Sequence, residues 1–335
     1  MKPRKASIPS TSWAGIDLAK LTFQLALWGH QEFPEMKVRS FARTPKVMKG
    51  VLKWLREELP AGSSLGIVME ATGTFGQEVG SWLLKLDPTV RIAIVNPGQT
   101  SAFITSLGFR NKTDELDAKG LARYGKERNP VPWIPLTPEL ATLQDLVRTR
   151  ADLVKTRTAM TLRLNDHART SAASNALREV IQALASQIKA LDVAMASHLA
   201  ANKSLAHPVE RYISIKGIAI VTATTVLAEL GDLTRFSRSR QLTAFAGLSP
   251  KRKQSGTSVH GKTHLCKKGS ARIRAVLYMA AGCAVRFNPD MKATYQNLLA
   301  RGKEKRAALG AVMRKLLVLM RAVQKADRNW IPRAA

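Results

Sequence analysis

The chain has 335 residues, and its 53 Lys and Arg against 24 Asp and Glu give a formal net charge of +29. This length allows two or three domains, and so one-sided a charge predicts a polyanionic partner, in particular nucleic acid. Two cysteines and six scattered histidines exclude a disulfide framework and zinc-ligand spacing.

The positive charge is concentrated at the end of the chain. Residues 205–335 hold 25 Lys and Arg against 6 Asp and Glu, which is +19 of the total. Residues 1–10 form a basic, proline-bearing arm with no apolar stretch behind it, and no run is long enough to span a membrane. We therefore expect a soluble intracellular protein without a membrane partner.

The first part of the chain alternates strand and helix patterns. Apolar runs predict strands over 12–19, 22–27, 36–41, 64–70 and 91–95. Amphipathic helices are predicted from Pro45 to near Pro60 and from Phe75 to Leu86, a loop or short helix at 96–98, and a further helix from Asp114. The order β-β-β-α-β-α-β-α is that of the α/β ribonuclease-H-like fold, in which the first and fourth strands are neighbours.

Four acids mark this predicted domain. Asp17 and Glu70 each stand near the end of an apolar strand, and Asp114 and Asp117 lie three residues apart at the start of a helix. Residues at i and i+3 share a helix face, so both can point at one spot. Each acid taken alone also fits a capping or solvated residue, because acids favour a helix N-terminus. When the four carboxylates occupy the corresponding positions of a ribonuclease-H-like fold, they can hold two divalent metals about 3.5–4 Å apart.

The middle of the chain is predicted to be helical. Pro130, Pro132, Pro135 and Pro138 make a stiff linker, and Thr137 can cap the helix that follows. Apolar residues at spacings of three and four then predict two long helices in a hairpin or coiled coil. They are Leu140, Leu143, Val147 and Val154 in the first helix, and Leu177, Ile181, Leu184, Ile188, Leu191, Met195 and Leu199 in the second. The pattern leaves open whether this seam closes within one chain or between chains.

The last third combines short helices with a basic, glycine-bearing segment. Gly217 makes a turn between helices that resembles a phosphate-binding hairpin, although Ala219 stands where many such turns have a second glycine. Ser255 is followed by Gly256 and surrounded by cations in what we expect to be a loop, which leads into a helix over 271–285. These residues alone fit either a serine nucleophile or a loop that only grips phosphate. The expected nucleic-acid contacts are Lys251, Arg252, Lys253, Lys262, Lys267, Lys268, Arg272 and Arg274.

Four segments together resemble one family. The DEDD-type transposases of insertion sequences, also known as bridge-RNA-guided recombinases, are similar to this chain from Trp13 to about Pro289. The matching segments are Gly15-Ile16-Asp17, Met69-Glu70-Ala71-Thr72-Gly73, Lys112-Thr113-Asp114 with Asp117-Ala118, and Gly247-Leu248-Ser249-Pro250 with Gln254-Ser255-Gly256.

The resemblance implies a domain plan and a mechanism. It implies a RuvC-like domain over 11–136, a coiled-coil hairpin over 137–204 and a mainly α transposase domain over 205–335. Asp17, Glu70, Asp114 and Asp117 would be catalytic, metal-binding acids for Mg²⁺ or Mn²⁺, and Ser255 would form a transient 5′-phosphoserine link to DNA. A structured bridge RNA would pair with target and donor DNA. Acids of one protomer and the serine of another would act together in a homodimer or homotetramer. The resemblance also implies a cytoplasmic prokaryotic protein that is associated with the nucleoid when it acts.

Three other functions use parts of the same pattern. A RuvC-like structure-selective nuclease would use the four acids with water as nucleophile, which leaves Ser255 without a role. A non-catalytic nucleic-acid-binding protein would tolerate loss of the acids. An actin-like ATPase also has Gly15-Ile16-Asp17 before a β-meander, but the net charge of +29 and the lack of a second glycine-rich phosphate loop argue against it.

Overall fold

The computed structural model describes residues 11–28, 36–59, 62–71, 73–108, 111–167, 170–255 and 259–332. Within these ranges, the side chains of His167, 252–255 and 259–263 are not described. The chain divides into two compact units, Met1–Pro135 and Leu136–Ala335. The predicted three-domain boundaries stay a prediction.

The first unit is a five-stranded mixed sheet with helices on both faces. Its elements are β1 (Thr11–Leu18), β2 (Thr22–Trp28), β3 (Val38–Ala42), a 3₁₀ turn (Pro45–Val47), α1 (Met48–Glu57), β4 (Ser64–Glu70), α2 (Phe75–Leu86), β5 (Arg91–Val95), α3 (Pro97–Ser106) and α4 (Asp114–Arg128). The strand order is β3-β2-β1-β4-β5, with β1, β2 and β3 antiparallel and β1, β4 and β5 parallel. The predicted meander and the pairing of first and fourth strands are confirmed, and this architecture is compatible with a ribonuclease-H-like fold.

Alternation along the strands separates the two faces of this sheet. Ile16 on β1 and Met69 on β4 belong to a core that also holds the buried side of α1 and α2. Trp13 and Val68 point the other way and pack with Leu121 of α4. Because successive strand residues face opposite sides, the even positions of β1 and the odd positions of β4 form one core and leave the other face to α4.

A glycine lets α4 lie directly on β1. A Cβ built on Gly15 would come within 2.1 Å of the carbonyl oxygen of Ala118 and 2.4 Å of the amide nitrogen of Ala122. No side chain fits in this space, so the helix and strand backbones are in contact. Trp13 fills the neighbouring space between Gly66 and Gly125, where added Cβ atoms would each come within 2.6 Å of its ring.

The second unit is mainly helical, as predicted. Its elements are α5 (Pro138–His167), α6 (Ser171–Ala201), α7 (Lys203–Ile213), α8 (Ile220–Leu230), a 3₁₀ turn (Leu233–Arg235), α9 (Ser239–Phe245), β6 (Pro250–Ser255), β7 (Val259–Leu265), α10 (Ala271–Phe287), α11 (Pro289–Ala300) and α12 (Lys305–Ala326). Thr137 caps α5 as expected, because its Oγ1 accepts a hydrogen bond from the Leu140 amide at 3.3 Å.

The two long helices α5 and α6 pack against each other in antiparallel directions. The Glu139 carbonyl oxygen lies 2.8 Å from His198 Nε2, and further along, Arg150 Nε donates to Asp192 Oδ1 at 2.5 Å. Near the core the apolar seam is buried, as at Leu143 and Met195, whereas the outer part of the seam is only partly buried. A coiled-coil pairing of these helices stays a prediction.

One expectation for the second unit was wrong. The basic segment around Ser255 was expected to form a loop, but β6 and β7 pair as an antiparallel hairpin in which Ser255 faces Val259 in register. No helix was predicted after Ala300, where α12 buries a full apolar face that includes Val312, Leu316 and Met320. Charged residues between these apolar positions masked their helical spacing.

Candidate catalytic site

Two strand ends bring Asp17 and Glu70 to the same edge of the sheet. Ile16 of β1 pairs with Met69 of β4, and Asp17 and Glu70 are the next residues on each strand. Both follow the alternation that points Trp13 and Val68 toward α4, so both carboxylates lie on the α4 face. The predicted neighbouring positions of these two acids are therefore present in the structure.

The first turn of α4 supplies the other two acids. Thr113 caps the helix, since its Oγ1 accepts a hydrogen bond from the Leu116 amide at 3.2 Å. Asp114 and Asp117 then lie in this first turn, where the helix dipole favours negative charge. Contact between α4 and β1 at Gly15 holds this turn beside the strand end that carries Asp17.

The electrostatics of Asp17 show that the four carboxylates share one environment. Burial, as the largest effect, and the carboxylates of Asp114, Asp117 and Glu70, in that order, together raise the pKa of Asp17 from 3.8 to about 6. The Lys112 ammonium lowers the pKa of Asp17, and its Nζ lies 3.8 Å from Asp117 Oδ2. Repulsion among the acids means that a bound cation would stabilise all four in their ionised forms.

A threonine that the sequence reasoning missed holds Glu70. Thr100 is fully buried in α3, and its hydroxyl donates to Glu70 Oε1 at 2.5 Å. The helix is placed by Asn96, whose Oδ1 accepts from the Gly98 amide at 2.9 Å, with Pro97 at the first helical position. An Asn-Pro start was visible in the sequence, and one helical turn later it brings the hydroxyl to the acid.

An arginine joins the turn that follows Asp17 to the helix α2 that follows Glu70. Arg43 Nε and Nη2 donate to the Lys20 carbonyl oxygen at 3.0 and 2.7 Å, which fixes the turn after β1. Its Nη1 lies 2.6 Å from Glu78 Oε2 on α2, and its guanidinium lies 3.9 Å from the centre of the Phe75 ring. No motif in the sequence singled out this residue, because its partners come from two segments that are far from it in the chain.

The acids provide suitable metal ligands without already forming a closed site. Across the described ranges of the chain, no group of three or more His, Cys, Asp and Glu side chains is arranged to hold a metal ion. The donor atoms nevertheless fit a hard divalent cation, because all are carboxylate oxygens, and burial together with their mutual repulsion raises the pKa of Asp17. Asp17, Glu70, Asp114 and Asp117 are thus the residues that would hold such a cation.

The predicted serine belongs to the second unit, on a strand. Ser255 is the last residue of β6, and its side chain lies outside the described part of the chain, as do those of Arg252, Lys253 and Lys262. Among the other predicted nucleic-acid contacts, Lys251, Lys267 and Lys268 are exposed to solvent. They remain available to a phosphate backbone.

Two predicted nucleic-acid contacts on α10 are engaged within the second unit. Arg272 Nη2 donates to both carboxylate oxygens of Asp152 at 3.1 and 3.2 Å. Arg274 Nη1 donates to the carbonyl oxygens of Gly269 and Ser270 at 2.7 and 3.2 Å. Neither guanidinium is therefore a free surface charge, and the phosphate role assigned to them stays a prediction.

The glycine turn before α8 has a packing reason. Gly217 has φ of +102°, and a Cβ at this position would lie 2.6 Å from the Ala284 side chain on α10. The turn also receives a hydrogen bond from Asn288 Nδ2 to the Lys216 carbonyl oxygen at 3.1 Å. Close packing of this turn on α10 explains why residue 217 is glycine, and no bound phosphate is needed to explain it.

Membrane insertion finds no support in the helices. Of the helices in the described ranges, none is both long enough and apolar enough to cross a bilayer.

Comparison with known proteins matches both units to transposases. A family model described as a transposase of the DEDD IS110 type matches residues 14–172, and a model of the transposase IS116/IS110/IS902 family matches residues 209–296. The first match contains all four acids, and the second contains Ser255.

Relatives of known name match over most of the chain. The pilin gene-inverting protein of Moraxella bovis is 29% identical over 327 residues, which cover 96% of this chain and 98% of the relative. The transposase for insertion sequence element IS1111A of Coxiella burnetii is 27% identical, covering 85% of this chain and 81% of the relative. The chain therefore belongs to the IS110 family of DEDD insertion-sequence transposases, whose substrate is DNA and whose DEDD domain depends on divalent metal.

Proposed function

We propose that this transposase cuts and rejoins DNA through a covalent bond to Ser255, with Asp17, Glu70, Asp114 and Asp117 as its metal-binding acids. The observation that carries the proposal is the shared environment of the four carboxylates at one sheet edge, where burial together with the other three carboxylates raises the pKa of Asp17 to about 6. A bound Mg²⁺ or Mn²⁺ would supply charge neutralisation at the scissile phosphate. Thr100 keeps Glu70 pointed at this edge by its hydrogen bond.

The covalent step conserves the phosphodiester bond. Ser255 Oγ attacks phosphorus and loses its proton, a bond from Oγ to phosphorus forms, and the bond to the 3′ oxygen breaks. That oxygen leaves as a 3′ hydroxyl once it takes up a proton. In the reverse step a 3′ hydroxyl from another strand attacks the phosphoserine and restores the Ser255 hydroxyl, so rejoining needs no external nucleotide.

One relative supports rejoining rather than simple cleavage. The protein from Moraxella bovis that matches 96% of this chain is named for inverting a pilin gene. Inverting a DNA segment requires that cut ends be joined again in the opposite orientation. A hydrolytic nuclease would leave ends that need separate ligation, so we favour a covalent intermediate for this chain.

We further propose that a structured bridge RNA selects the target and donor DNA by base pairing. The excess of 25 Lys and Arg over 6 Asp and Glu in residues 205–335 suits a protein that grips nucleic-acid backbone while pairing selects sequence. Recombination of two DNA sites also suits a homodimer or homotetramer. Changing the pairing segment of the RNA should move cleavage to the newly matched DNA, and cleavage that stays at the old site would contradict guidance.

The test of the covalent step compares two serine variants. Protein purified with its element RNA is mixed with matched DNA and Mg²⁺, and the products are run on a denaturing gel. Wild type and Ser258→Ala should show DNA attached to protein, whereas Ser255→Ala should show neither adduct nor cut strand while still binding RNA. Cut DNA without adduct in wild type would instead support the water-using nuclease.

A further inference from the structure

The β6–β7 hairpin continues into a tight junction with α9 and α10. Beyond the last strand pair, Pro250 with Leu265, the Cys266 amide donates to the Ser249 carbonyl oxygen at 2.8 Å. The Lys267 amide then donates to the Gly247 carbonyl oxygen at 3.2 Å. These two bonds fix how the hairpin leaves the helical core.

Two glycines allow the backbones of this junction to touch. Gly247 has φ of +73°, a left-handed conformation that favours glycine. A Cβ on Gly269 would lie 2.4 Å from the Phe245 carbonyl oxygen and 2.7 Å from the Gly247 nitrogen. The segment before the hairpin and the segment after it are therefore in direct backbone contact.

Arg274 on α10 contacts both segments of this junction. Its Nη1 donates to the Gly269 and Ser270 carbonyl oxygens at 2.7 and 3.2 Å, and the same atom lies 2.9 Å from where a Cβ of Gly247 would stand. One guanidinium nitrogen thus lies between the two glycines. Hydrogen bonds from a charged donor to carbonyl oxygens are roughly twice as strong as those from a neutral donor.

We propose that Arg274 is a positioning residue that sets the angle of the hairpin carrying Ser255, and that it does not bind nucleic-acid phosphate. This inference rests on the proposed serine chemistry. Ser255 lies five residues beyond Pro250, or about 17 Å along an extended strand, so a small change of angle at the junction displaces Ser255 by a large distance. A tilt of about 10° at the junction would displace Ser255 by about 3 Å, and misplacement by about 1 Å can cost about a hundredfold in rate.

The test combines a charge-removing, a charge-keeping and a neutral variant. Arg274→Ala removes both hydrogen bonds to the Gly269 and Ser270 carbonyl oxygens. Arg274→Lys keeps the charge but not the guanidinium geometry, and it is expected to retain part of the function. Gly269→Ala forces the same junction open without changing charge. Gly282→Ala, also on α10, is the matched control, because an added Cβ there meets nothing within 4 Å.

Three readouts separate positioning from phosphate binding and from general unfolding. We expect Arg274→Ala and Gly269→Ala to lower the rate of adduct formation at least tenfold and to speed hydrogen exchange at the Cys266 and Lys267 amides. Nucleic-acid affinity should change less than twofold, and its salt dependence should stay as in wild type. Gly282→Ala should match wild type in every readout.

Two results would overturn the inference. If Arg274→Ala weakens binding and lowers the salt slope by about one, Arg274 contacts a phosphate. If Arg274→Ala leaves both adduct rate and amide exchange unchanged, it does not position the hairpin. Absence of an adduct in wild type would refute the serine mechanism separately. Normal amide exchange in the variants would still refute the positioning role of Arg274.

Discussion

Asp17 carries an electrostatic cost in the metal-free protein that asparagine would remove. Its pKa rises from 3.8 to about 6 because the carboxyl is buried and faces three other acids. A rise of about two units corresponds to about 3 kcal/mol of unfolding free energy, and solvent screening of a partly exposed carboxyl reduces this to about 1–2 kcal/mol. We expect Asp17→Asn to raise the free energy of unfolding by that amount in EDTA at neutral pH.

The stability gained by Asp17→Asn depends on pH. Between pH 3.8 and about 6, folded protein keeps a proton on Asp17 that the unfolded chain has released. The free energy of unfolding of wild type therefore falls as pH rises through this window, and the cost is complete above about pH 6. The advantage of Asp17→Asn should be full at neutral pH and shrink toward zero as the pH is lowered through the same window.

Tryptophan fluorescence during urea unfolding is a suitable assay, because five of the six tryptophans lie in the Met1–Pro135 unit. Mg²⁺ should stabilise wild type and have little effect on Asp17→Asn. Asp87→Asn is the opposite control, since hydrogen bonds from Thr89 and Arg56 lower the pKa of Asp87 and its charge stabilises the fold. Equal or lower stability of Asp17→Asn in EDTA at neutral pH would refute the reasoning.

Two further predictions concern the support of the acids. Gly15→Ala should destabilise the first unit by about 3 kcal/mol or more and abolish stabilisation by Mg²⁺, because its Cβ would come within 2.1 Å of the Ala118 carbonyl oxygen; Gly50→Ala, with open space around it, should do neither in urea titrations. Thr100→Val removes the donor to Glu70 and should weaken Mg²⁺ affinity, measured by calorimetry, about tenfold. Unchanged affinity would mean that Glu70 does not depend on this contact.

Much of the first unit could be predicted because its strands are apolar and evenly spaced. The predicted limits of β4 (Ser64–Glu70), α2 (Phe75–Leu86) and β5 (Arg91–Val95) agree with the structure. Because the first and fourth strands are neighbours in this fold, Asp17 and Glu70 were expected side by side. The tertiary contacts could not be predicted, because no local sequence pattern links Thr100 to Glu70 or joins Arg43 to Lys20 and Glu78.

The second unit was harder because charge conceals its periodicity. Three consecutive cations, Lys251 to Lys253, occupy β6, where a strand pattern usually shows apolar alternation. Similarly, Arg314 and Lys315 interrupt the apolar face of α12, yet Leu316 and Leu317 are fully buried. Arg274 looked like a phosphate ligand in sequence, and only its contacts with Gly269 and Ser270 show that it is held by backbone carbonyls.

The central claim is that Ser255 becomes bonded to DNA, and mass spectrometry of a trapped complex tests it most directly. After reaction with matched DNA, the protein is digested with nuclease and trypsin, and the peptide of residues 254–262 is sequenced by fragmentation. The account predicts a phosphate-linked nucleotide remnant on Ser255. Cut DNA with an unmodified peptide, or a remnant on any other residue, would contradict it.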